Sequence, residues 1–427
     1  MGAIVQLKHT FDNGLRLITA PMPHTRAVSM IYFFAAGGCY ETEAESGISH
    51  FIEHLCFRGT EKRRTSREIT EAIEEVGGII NGGTDKELTT YWCTVASEHY
   101  AVALDVLSDI VRNARFDEKD IDSERQIIIE EIHMSQDSPM QLVDMMFDEL
   151  LWPDQAMGRD VAGTDATVSV MQRDQIVDYV RRHYQPDNMV ISVAGDIDVE
   201  RIKEAIDLDM SDWKSERVSK RMATVNDQTA PRLKIGFRDI EQVHLCLGVP
   251  GFSLFHNDRF ALRLLSIILG EGMSSRLFLD LREKEGLAYD VSSYCNHYID
   301  SGAFVIYAGV DAKKAERSLV TMIRQMFALQ DTVTAAELAK SKALARGRIL
   351  LSMESSLNVA RWGGNQELLG SKMCSVDEII SMIDAVTLDD LKRVAEDIFK
   401  PELLNLTAVG PLKDENALKK ILEGSGG

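Results

Sequence analysis

The stretch GISHFIEH, Gly47 to His54, constrains the fold and chemistry of this chain more than any other. A helix repeats every ~3.6 residues, so His50 and His54 lie one turn apart on the same face, with Glu53 beside them. Two imidazoles in this arrangement can share one metal ion, and the carboxylate can reach a water on that metal. The segment from Gly47 to Phe57 is therefore predicted to be a metal-binding helix.

The order of these three polar residues predicts a zinc hydrolase. H-x-x-E-H is the reverse of the H-E-x-x-H motif of zinc peptidases and is more specific than a loose cluster of histidine and glutamate. The alternative interpretation is an ordinary surface helix with two solvated histidines and one glutamate. Cys56, two residues beyond the motif, points away from the metal face and is predicted to pack in the core.

The composition indicates a globular protein of two to four domains. The chain has 427 residues, of which 45% are hydrophobic and 27% are charged. Acidic residues outnumber basic ones by 67 to 47, and the formal charge of −20 argues against nucleic acid or an anionic membrane as a partner. Without a signal-peptide pattern, a long apolar run or paired cysteines, the chain is expected to be cytoplasmic, with reduced thiols.

The chain resembles itself at an offset of 215 residues. Asp174 to Gly195 reads as a helix, a proline, a buried strand and a glycine turn, and Asp389 to Gly410 repeats that order. The alternative is that the similarity arose by chance, because a helix followed by a proline, a strand and a glycine turn is a common order. The duplication predicts a zinc-binding domain at residues 1–214, a polar linker at 215–231, and a homologous domain at 232–427.

The metal motif occurs in only one of the two halves. At the same offset, Leu265, Ile268 and Leu269 replace its polar residues on a predicted helix from Asp258 to Leu269. The second half is therefore predicted to be a scaffold or lid without a metal site. In each half, strands and helices do not alternate one for one, which predicts an α+β fold with helices on one face of a mostly antiparallel sheet. The strands predicted in the first half are Val28–Ala35, Leu88–Ala96 and Met189–Ala194, and the helices are Ser66–Val76, Tyr100–Asn113 and Glu118–Met134.

A catalytic zinc with two histidine ligands needs a third ligand from the protein. In the segment Ser123 to Ile132, Glu124 and Glu131 share a helix face, whereas Glu130 is rotated by about 100°. Glu131 can bind the metal while Glu124 supports an imidazole N–H from behind. The alternative for each glutamate is a solvated helix face, and spacing alone does not choose Glu131 over Glu130. His133 is predicted to be a surface histidine.

Three motifs resemble those of the inverzincin zinc metallopeptidases, which include pitrilysin, insulin-degrading enzyme and mitochondrial processing peptidase. The length and the duplication of the chain are similar to the short subfamily with the processing peptidase subunits and their bacterial relatives. The motifs are G-x8-G-x-S-H-F-I-E-H-L-x-F-x-G-T from Gly38 to Thr60, Gly77-Gly78-x-x-Asn81-x-x-Thr84, and Glu124-Arg125 followed by Glu131-Ile132.

The resemblance implies roles for residues in both halves. It implies that His50, His54 and Glu131 bind zinc and that Glu53 is the general base. In the second half, Arg282 and Tyr289 resemble the arginine and tyrosine, seven apart, that hold substrate carbonyls and help to stabilise the oxyanion in this family. Taken without the resemblance, Arg282 would be a surface ion pair and Tyr289 a half-buried aromatic residue.

The resemblance also implies how a substrate is held. Asn81 and the strand after it would bind the peptide backbone by edge-strand addition. The two halves would pair as a clamshell around a chamber that admits unfolded or flexible peptides. A homodimer is expected, in which Arg282 and Tyr289 of one subunit serve the zinc of the other.

The chain departs from the family pattern at one point. Where many relatives read Asn-Ala-x-Thr, it has Asn81-Gly82-Gly83-Thr84, which is predicted to loosen the backbone and the neighbouring strand, Leu88 to Thr94. Two other functions stay open: a non-catalytic assembly subunit, which would have lost its metal ligands, and a zinc-dependent peptide-binding protein without turnover.

Overall fold

The structure is a computed structural model that describes residues 5–216, 220–370, 372–412 and 415–424. It contains two β-sheets. Each sheet belongs to one of two compact units of the chain. The first unit contains Met1–His133, Asp160–Met222 and Leu350–Val376, and the second contains Met134–Arg159, Ala223–Ile349 and Asp377–Gly427. Each unit is therefore built from three separate segments of the sequence.

The sheet of the first unit has six strands. They are β1 (Leu7–Thr10), β2 (Arg16–Pro21), β3 (Ala27–Phe34), β4 (Ile79–Thr84), β5 (Thr89–Ala96) and β6 (Met189–Gly195). Their spatial order is β1-β2-β6-β3-β5-β4. Neighbouring strands are antiparallel except for β2 and β6, which run parallel. The two edges of this sheet are β1 and β4.

The sheet of the second unit has five strands. They are β7 (Arg232–Phe237), β8 (Gln242–Pro250), β9 (Ala288–His297), β10 (Gly302–Asp311) and β11 (Asn405–Gly410). Their spatial order is β7-β11-β8-β10-β9, and only β7 and β11 are parallel. This is the order in which β2 to β6 lie in the first sheet, with the parallel pair in the same place.

Helices account for most of the remaining described residues. In the first half of the sequence they are α1 (Ile48–Cys56), α2 (Ser66–Glu74), α3 (Tyr100–Arg112), α4 (Glu118–Asp137), α5 (Pro139–Leu151), α6 (Asp165–Val170), α7 (Arg173–His183) and α8 (Val199–Met210). In the second half they are α9 (Arg259–Gly270), α10 (Ala315–Ala328), α11 (Ala335–Ser352), α12 (Ser356–Leu368), α13 (Val376–Ala385), α14 (Leu388–Ile398) and α15 (Asn416–Glu423). The strands and helices predicted for the first half correspond to β3, β5, β6, α2, α3 and α4, with ends that agree within three residues.

The predicted duplication and the α+β class are confirmed. Helices α7 and α14 begin and end at the offset of 215 residues found in the sequence. Each is followed by a short helical turn that starts with proline, Pro186 in one half and Pro401 in the other, and then by the last strand of its sheet. Two homologous halves are shown by three features together: the repeated sequence, helices that begin and end at the same offset, and the same strand order in both sheets.

Both faces of the first sheet are buried at its central strands β3 and β6. From β3, the side chains of Val28, Met30, Tyr32 and Phe34 pack in a core with α1 and α3. The side chains of the β3 residues between these four face α12, which comes from the second half of the sequence. There Ser29 Oγ lies 2.9 Å from Ser356 Oγ, and Gly364 lies so close to the Phe33 ring that a Cβ would be 2.1 Å from it.

The second sheet is covered in the same reciprocal way. Leu245 and Leu247 of β8 belong to the core with α9 and α10, and α5 from the first half of the sequence packs on the other side, where Thr407 Oγ1 donates to the Val143 carbonyl at 2.9 Å. Helices had been expected on one face only. The run AVSMIYFF of β3 is apolar on both faces, which is typical of a strand covered on both sides.

The compact units do not follow contiguous stretches of sequence, because each takes a helical segment from the opposite half. The predicted division into 1–214, 215–231 and 232–427 follows the repeat and stays a prediction about the sequence. Of the predicted linker, residues 217–219 lie outside the described residues, and residues 220–230 contain neither helix nor strand. Among the described residues, no helix combines the length and apolar character that a membrane span requires.

Candidate metal centre

A buried carboxylate fixes the start of helix α1. Its N-cap residue, Gly47, has φ 94° and offers no side chain to cap the helix. Instead Glu41, which is 1% exposed, accepts hydrogen bonds from the backbone N–H groups of Gly47 and Ser49, both at 2.9 Å. A negative charge is favourable at this end of a helix dipole. Sequence reasoning missed Glu41, because it lies six residues before the helix cap, outside any local capping pattern.

Helix α1 presents His50 and His54 to Glu131 on helix α4. The Nε2 atoms of His50 and His54 lie 3.8 Å and 3.5 Å from the same oxygen of Glu131, Oε2. Donor atoms of the three side chains all lie within 4.8 Å of one another. The side chain of Glu131 is 41% exposed and both histidines are 19% exposed, so solvent reaches this cluster from the side of Glu131.

Glu124 fixes the orientation of His54. Its Oε2 lies 3.0 Å from Nδ1 of His54. Because a carboxylate only accepts, the neutral ring carries its proton on Nδ1 and leaves a lone pair on Nε2. Arg58 hydrogen-bonds to the other oxygen of Glu124 and balances its charge. Sequence reasoning missed Arg58, although a buried glutamate calls for a cation nearby.

The surroundings shift the pKa values of these groups in different directions. Burial lowers the pKa of His50 to about 4, and the neighbouring His54 acts in the same direction, so His50 is neutral near pH 7. Burial opposes a charge on His54, but its bond to Glu124 and the nearby carboxylates outweigh burial and raise the pKa of His54. Burial likewise opposes ionisation of Glu124, but His54 and Arg58 outweigh it and lower the pKa of that carboxyl.

The donor set fits a zinc ion. A neutral His50, the Nε2 lone pair of His54 and one carboxylate are the two-histidine, one-glutamate set of catalytic zinc sites. Without a cation or proton between them, lone pairs of these three groups would face one another at close range. His54 also has the carboxylate partner that metal-binding histidines usually have on their second nitrogen.

The motif glutamate, Glu53, lies beside this cluster and against strand β4. Its Oε2 accepts a hydrogen bond from Thr84 Oγ1 at 2.7 Å. Burial raises the pKa of Glu53, while the bond from Thr84 and the charge of His54 act against that rise. A carboxylate that holds a proton more readily than in water is suited to accept one from a reacting water.

Asn81 lies on an exposed edge of the first sheet. It belongs to β4, which pairs with β5 through all six of its residues. The sequence predicts edge-strand addition of a peptide at Asn81 and the strand after it, and for the strand after it this is wrong. That strand is β5, which pairs with β3 on its other side and has no free edge. On this side of the sheet the edge strand is β4, which carries Asn81 itself, so an added peptide strand beside Asn81 would pair with β4.

The two glycines after Asn81 leave the strand pairing intact, and the predicted loosening of the neighbouring strand stays a prediction. Neither Gly82 nor Gly83 has a positive φ, and β4 pairs with β5 in unbroken register. Gly82 is needed for space instead. A Cβ on it would lie 2.8 Å from Oε1 and 3.0 Å from Cγ of Glu53, and 3.0 Å from the Phe57 ring.

Arg282 and Tyr289 belong to the second unit. Arg282 lies on the π-helix Phe278–Lys284, and its guanidinium carbon is 5.0 Å from the centre of the Phe278 ring. Tyr289 is 61% exposed and is the extra residue where the pairing of β9 with β10 shifts register. A bulge of this kind re-aims a side chain. Neither residue shows the ion pair or half-buried packing that the local sequence alone would suggest.

The second half of the chain has lost every part of the metal cluster. Leu265, Ile268 and Leu269, which replace the motif residues, are buried in the core of the second unit. At the position equivalent to Glu131 stands Arg346, which forms an ion pair with Asp384. Among the described residues, the cluster in the first unit is the one group of three such side chains close enough to hold a metal.

Two further assignments from the sequence agree with the structure. His133 is exposed, and its Nε2 lies 2.7 Å from Asp165 Oδ2, away from the metal cluster. Cys56 is buried and accepts a hydrogen bond from Tyr91 at 3.3 Å, and burial raises its pKa to about 12.

Comparison with known proteins gives two family matches along the chain. The family described as Insulinase (Peptidase family M16) matches residues 16–165. The domain described as Peptidase M16 inactive domain matches residues 171–344. The first match contains the metal cluster, and the second contains Leu265, Ile268 and Leu269, which replace the motif residues.

Individual relatives cover nearly the whole chain. It is 35% identical over 399 residues to "Uncharacterized zinc protease YmxG" of Bacillus subtilis (strain 168), covering 92% of this chain and 95% of that protein. It is 34% identical over 417 residues to a protein of Streptomyces coelicolor also named as an uncharacterized zinc protease, covering 96% and 90%. The structure resembles that of a protease from Helicobacter pylori with a TM-score of 0.89, at 22% identity, covering 96% of this chain and 100% of that one. At this identity, the last likeness shows the fold alone.

Proposed function

This chain belongs to the M16 family of peptidases, and on that basis we propose that it is a zinc-dependent endopeptidase. One observation carries the proposal: Nε2 atoms of His50 and His54 converge on Glu131, and Glu53 lies beside them on the same helix. The zinc proteases among its relatives support the same class of reaction. The proposed substrates are unfolded or flexible peptides.

Each residue of the cluster has a distinct task in this proposal. His50, His54 and Glu131 would hold the zinc ion, and Glu124 with Arg58 would keep His54 in its binding orientation. A zinc ion held by these residues would supply Lewis-acid chemistry, which makes a water more acidic and draws charge from a peptide carbonyl. Glu53 accepts the proton of the attacking water and later donates it to the leaving amine.

Residues outside the cluster would hold the substrate. A peptide strand adds to the free edge of β4 beside Asn81, so main-chain hydrogen bonds supply affinity without a fixed sequence. Arg282 holds a backbone carbonyl, and Tyr289 donates a hydrogen bond to the oxygen that becomes negative during attack. The exposure of both side chains leaves them available for this task. In the family architecture, the two halves enclose such a peptide in a chamber.

The first test is cleavage of a peptide library by the purified protein. We expect cleavage of flexible peptides, complete loss of cleavage with a zinc chelator, and recovery when zinc is added back. Mass spectrometry of the products gives the positions of cleavage. Metal and peptide binding without cleavage would instead establish a peptide-binding protein, and binding of neither would favour an assembly subunit.

We also propose that two copies of the chain share their sites, so that Arg282 and Tyr289 of one subunit serve the zinc of the other. A mixture of Glu53→Gln and Arg282→Ala proteins, each inactive alone, should then regain activity, because exchange of subunits creates sites with both intact groups. At equal amounts, about a quarter of the sites would be complete by random pairing. Absence of any recovery after demonstrated subunit exchange would overturn this arrangement.

The proposed setting is the cytoplasm, with no nucleic acid or membrane as a partner. This proposal rests on the excess of acidic over basic residues in the chain and on its scattered cysteines. All six cysteines are free thiols, and five of them are buried. Reduced, buried thiols are compatible with a reducing compartment.

A further inference from the structure

We infer that Gly82 and Thr84 of strand β4 form a seat that holds the carboxylate of Glu53 in position for proton transfer. This inference rests on the proposed peptidase function and adds a positioning role for two residues of the strand. Neither residue would contact the metal. Each acts on the reaction through the place and orientation of Glu53.

The hydroxyl of Thr84 fixes one oxygen of the carboxylate. Thr84 is the last residue of β4, where it pairs with Thr89, and its Oγ1 donates to Glu53 Oε2 at 2.7 Å. A glutamate has three side-chain torsions and would otherwise sample several rotamers. One charge-assisted hydrogen bond from a residue anchored in a sheet selects one of these orientations.

The backbone at Gly82 fixes the position of the same side chain from another side. A Cβ at this position would lie 2.8 Å from Glu53 Oε1 and 3.0 Å from its Cγ, closer than ordinary contact allows. It would also lie 3.0 Å from the Phe57 ring, so neither neighbour leaves free space. Because Gly82 has no positive φ, its missing side chain serves this close packing and not an unusual backbone conformation. The glutamate therefore lies directly on the strand.

The seat couples the proton acceptor to the proposed substrate strand. Helix α1 carries Glu53, whereas Gly82 and Thr84 belong to the edge strand on which the peptide would add. The carboxylate of Glu53 and the proposed peptide backbone are thereby positioned against the same strand.

The test compares Thr84→Val, which keeps the shape and removes the hydroxyl, with Thr84→Ser, which keeps the donor. Hydrogen bonds to charged groups are worth enough that we expect kcat to fall about 10- to 100-fold in Thr84→Val, with KM and bound zinc unchanged. Thr84→Ser should stay within about threefold of the wild type. In a Glu53→Gln background, Thr84→Val should cause no further loss, because the group it positions is absent.

Crystal structures of the variants test the seat even if the protein proves not to be a peptidase. In Thr84→Val and in Gly82→Ala, the Glu53 carboxylate should leave its present place. In Gly83→Ala, a matched control whose Cβ would meet Thr90 at an ordinary 3.7 Å, it should stay. An unmoved carboxylate in the first two variants would overturn the inference. So would an active wild type matched in kcat by Thr84→Val. Inactivity of the wild type together with a displaced carboxylate would instead overturn only the proposed function.

Discussion

Replacing Glu53 with glutamine is expected to lower kcat for peptide hydrolysis by about 10²- to 10⁴-fold while the zinc stays bound. Glutamine has the shape of glutamate and can still meet the hydroxyl of Thr84, but it cannot accept a proton from water. The metal cluster does not include Glu53, so the three donor side chains remain in place. The measurements are steady-state kinetics on a library-derived peptide and zinc content by atomic spectroscopy.

The matched control for this variant is Glu130→Gln. Glu130 is an exposed glutamate one position from a proposed ligand. Its replacement by glutamine removes the same charge without changing a residue of the site. It should keep wild-type kinetics. Full activity of Glu53→Gln would remove Glu53 as the base, whereas loss of zinc from it would mean that Glu53 also supports the metal.

Replacing Glu131 with alanine is expected to abolish measurable hydrolysis through loss of the metal. The change removes the oxygen that lies 3.8 Å and 3.5 Å from the two histidine nitrogens and leaves only two protein ligands. Zinc affinity should fall by more than the 10- to 100-fold that is typical when only a supporting residue is changed. Competition with a chromogenic chelator gives the affinity of each purified variant directly.

Two companion variants set the scale of this effect. Glu124→Gln, which weakens support of His54, should lose about 10- to 100-fold in zinc affinity. Glu130→Ala should leave zinc affinity unchanged, because Glu130 lies outside the cluster. If Glu130→Ala lost zinc while Glu131→Ala kept it, the assignment of the third ligand would be reversed.

The local part of the site could be predicted from the sequence. Positions four apart on a helix share a face whatever surrounds them, so the pairing of His50 with His54 follows from the spacing alone. The seven-residue spacing of Glu124 and Glu131 gave their common face on helix α4 in the same way. The offset of 215 residues predicted the duplication into two homologous halves. Each of these inferences needed only regular secondary structure and a repeat.

Contacts between distant segments could not be predicted in this way. The sequence placed peptide binding on both Asn81 and the strand after it, because it does not show which strand lies at the edge of the sheet. Glu41 caps a helix from six residues away, and Arg58 meets a glutamate 66 residues later. Such contacts depend on how elements pack, and no local periodicity reports them.

The sequence by itself determined the helix that carries His50, Glu53 and His54, the single occurrence of the motif and the duplicated α+β halves. All of these depend on backbone periodicity or on the repeat, both of which are properties of the chain order. Only the tertiary structure decided that Glu131 meets the histidines, that each sheet receives a helix from the opposite half, and that Glu53 rests on Gly82 and Thr84. These depend on which apolar faces are buried together and on how closely the backbones approach, and such packing is specified by the whole fold.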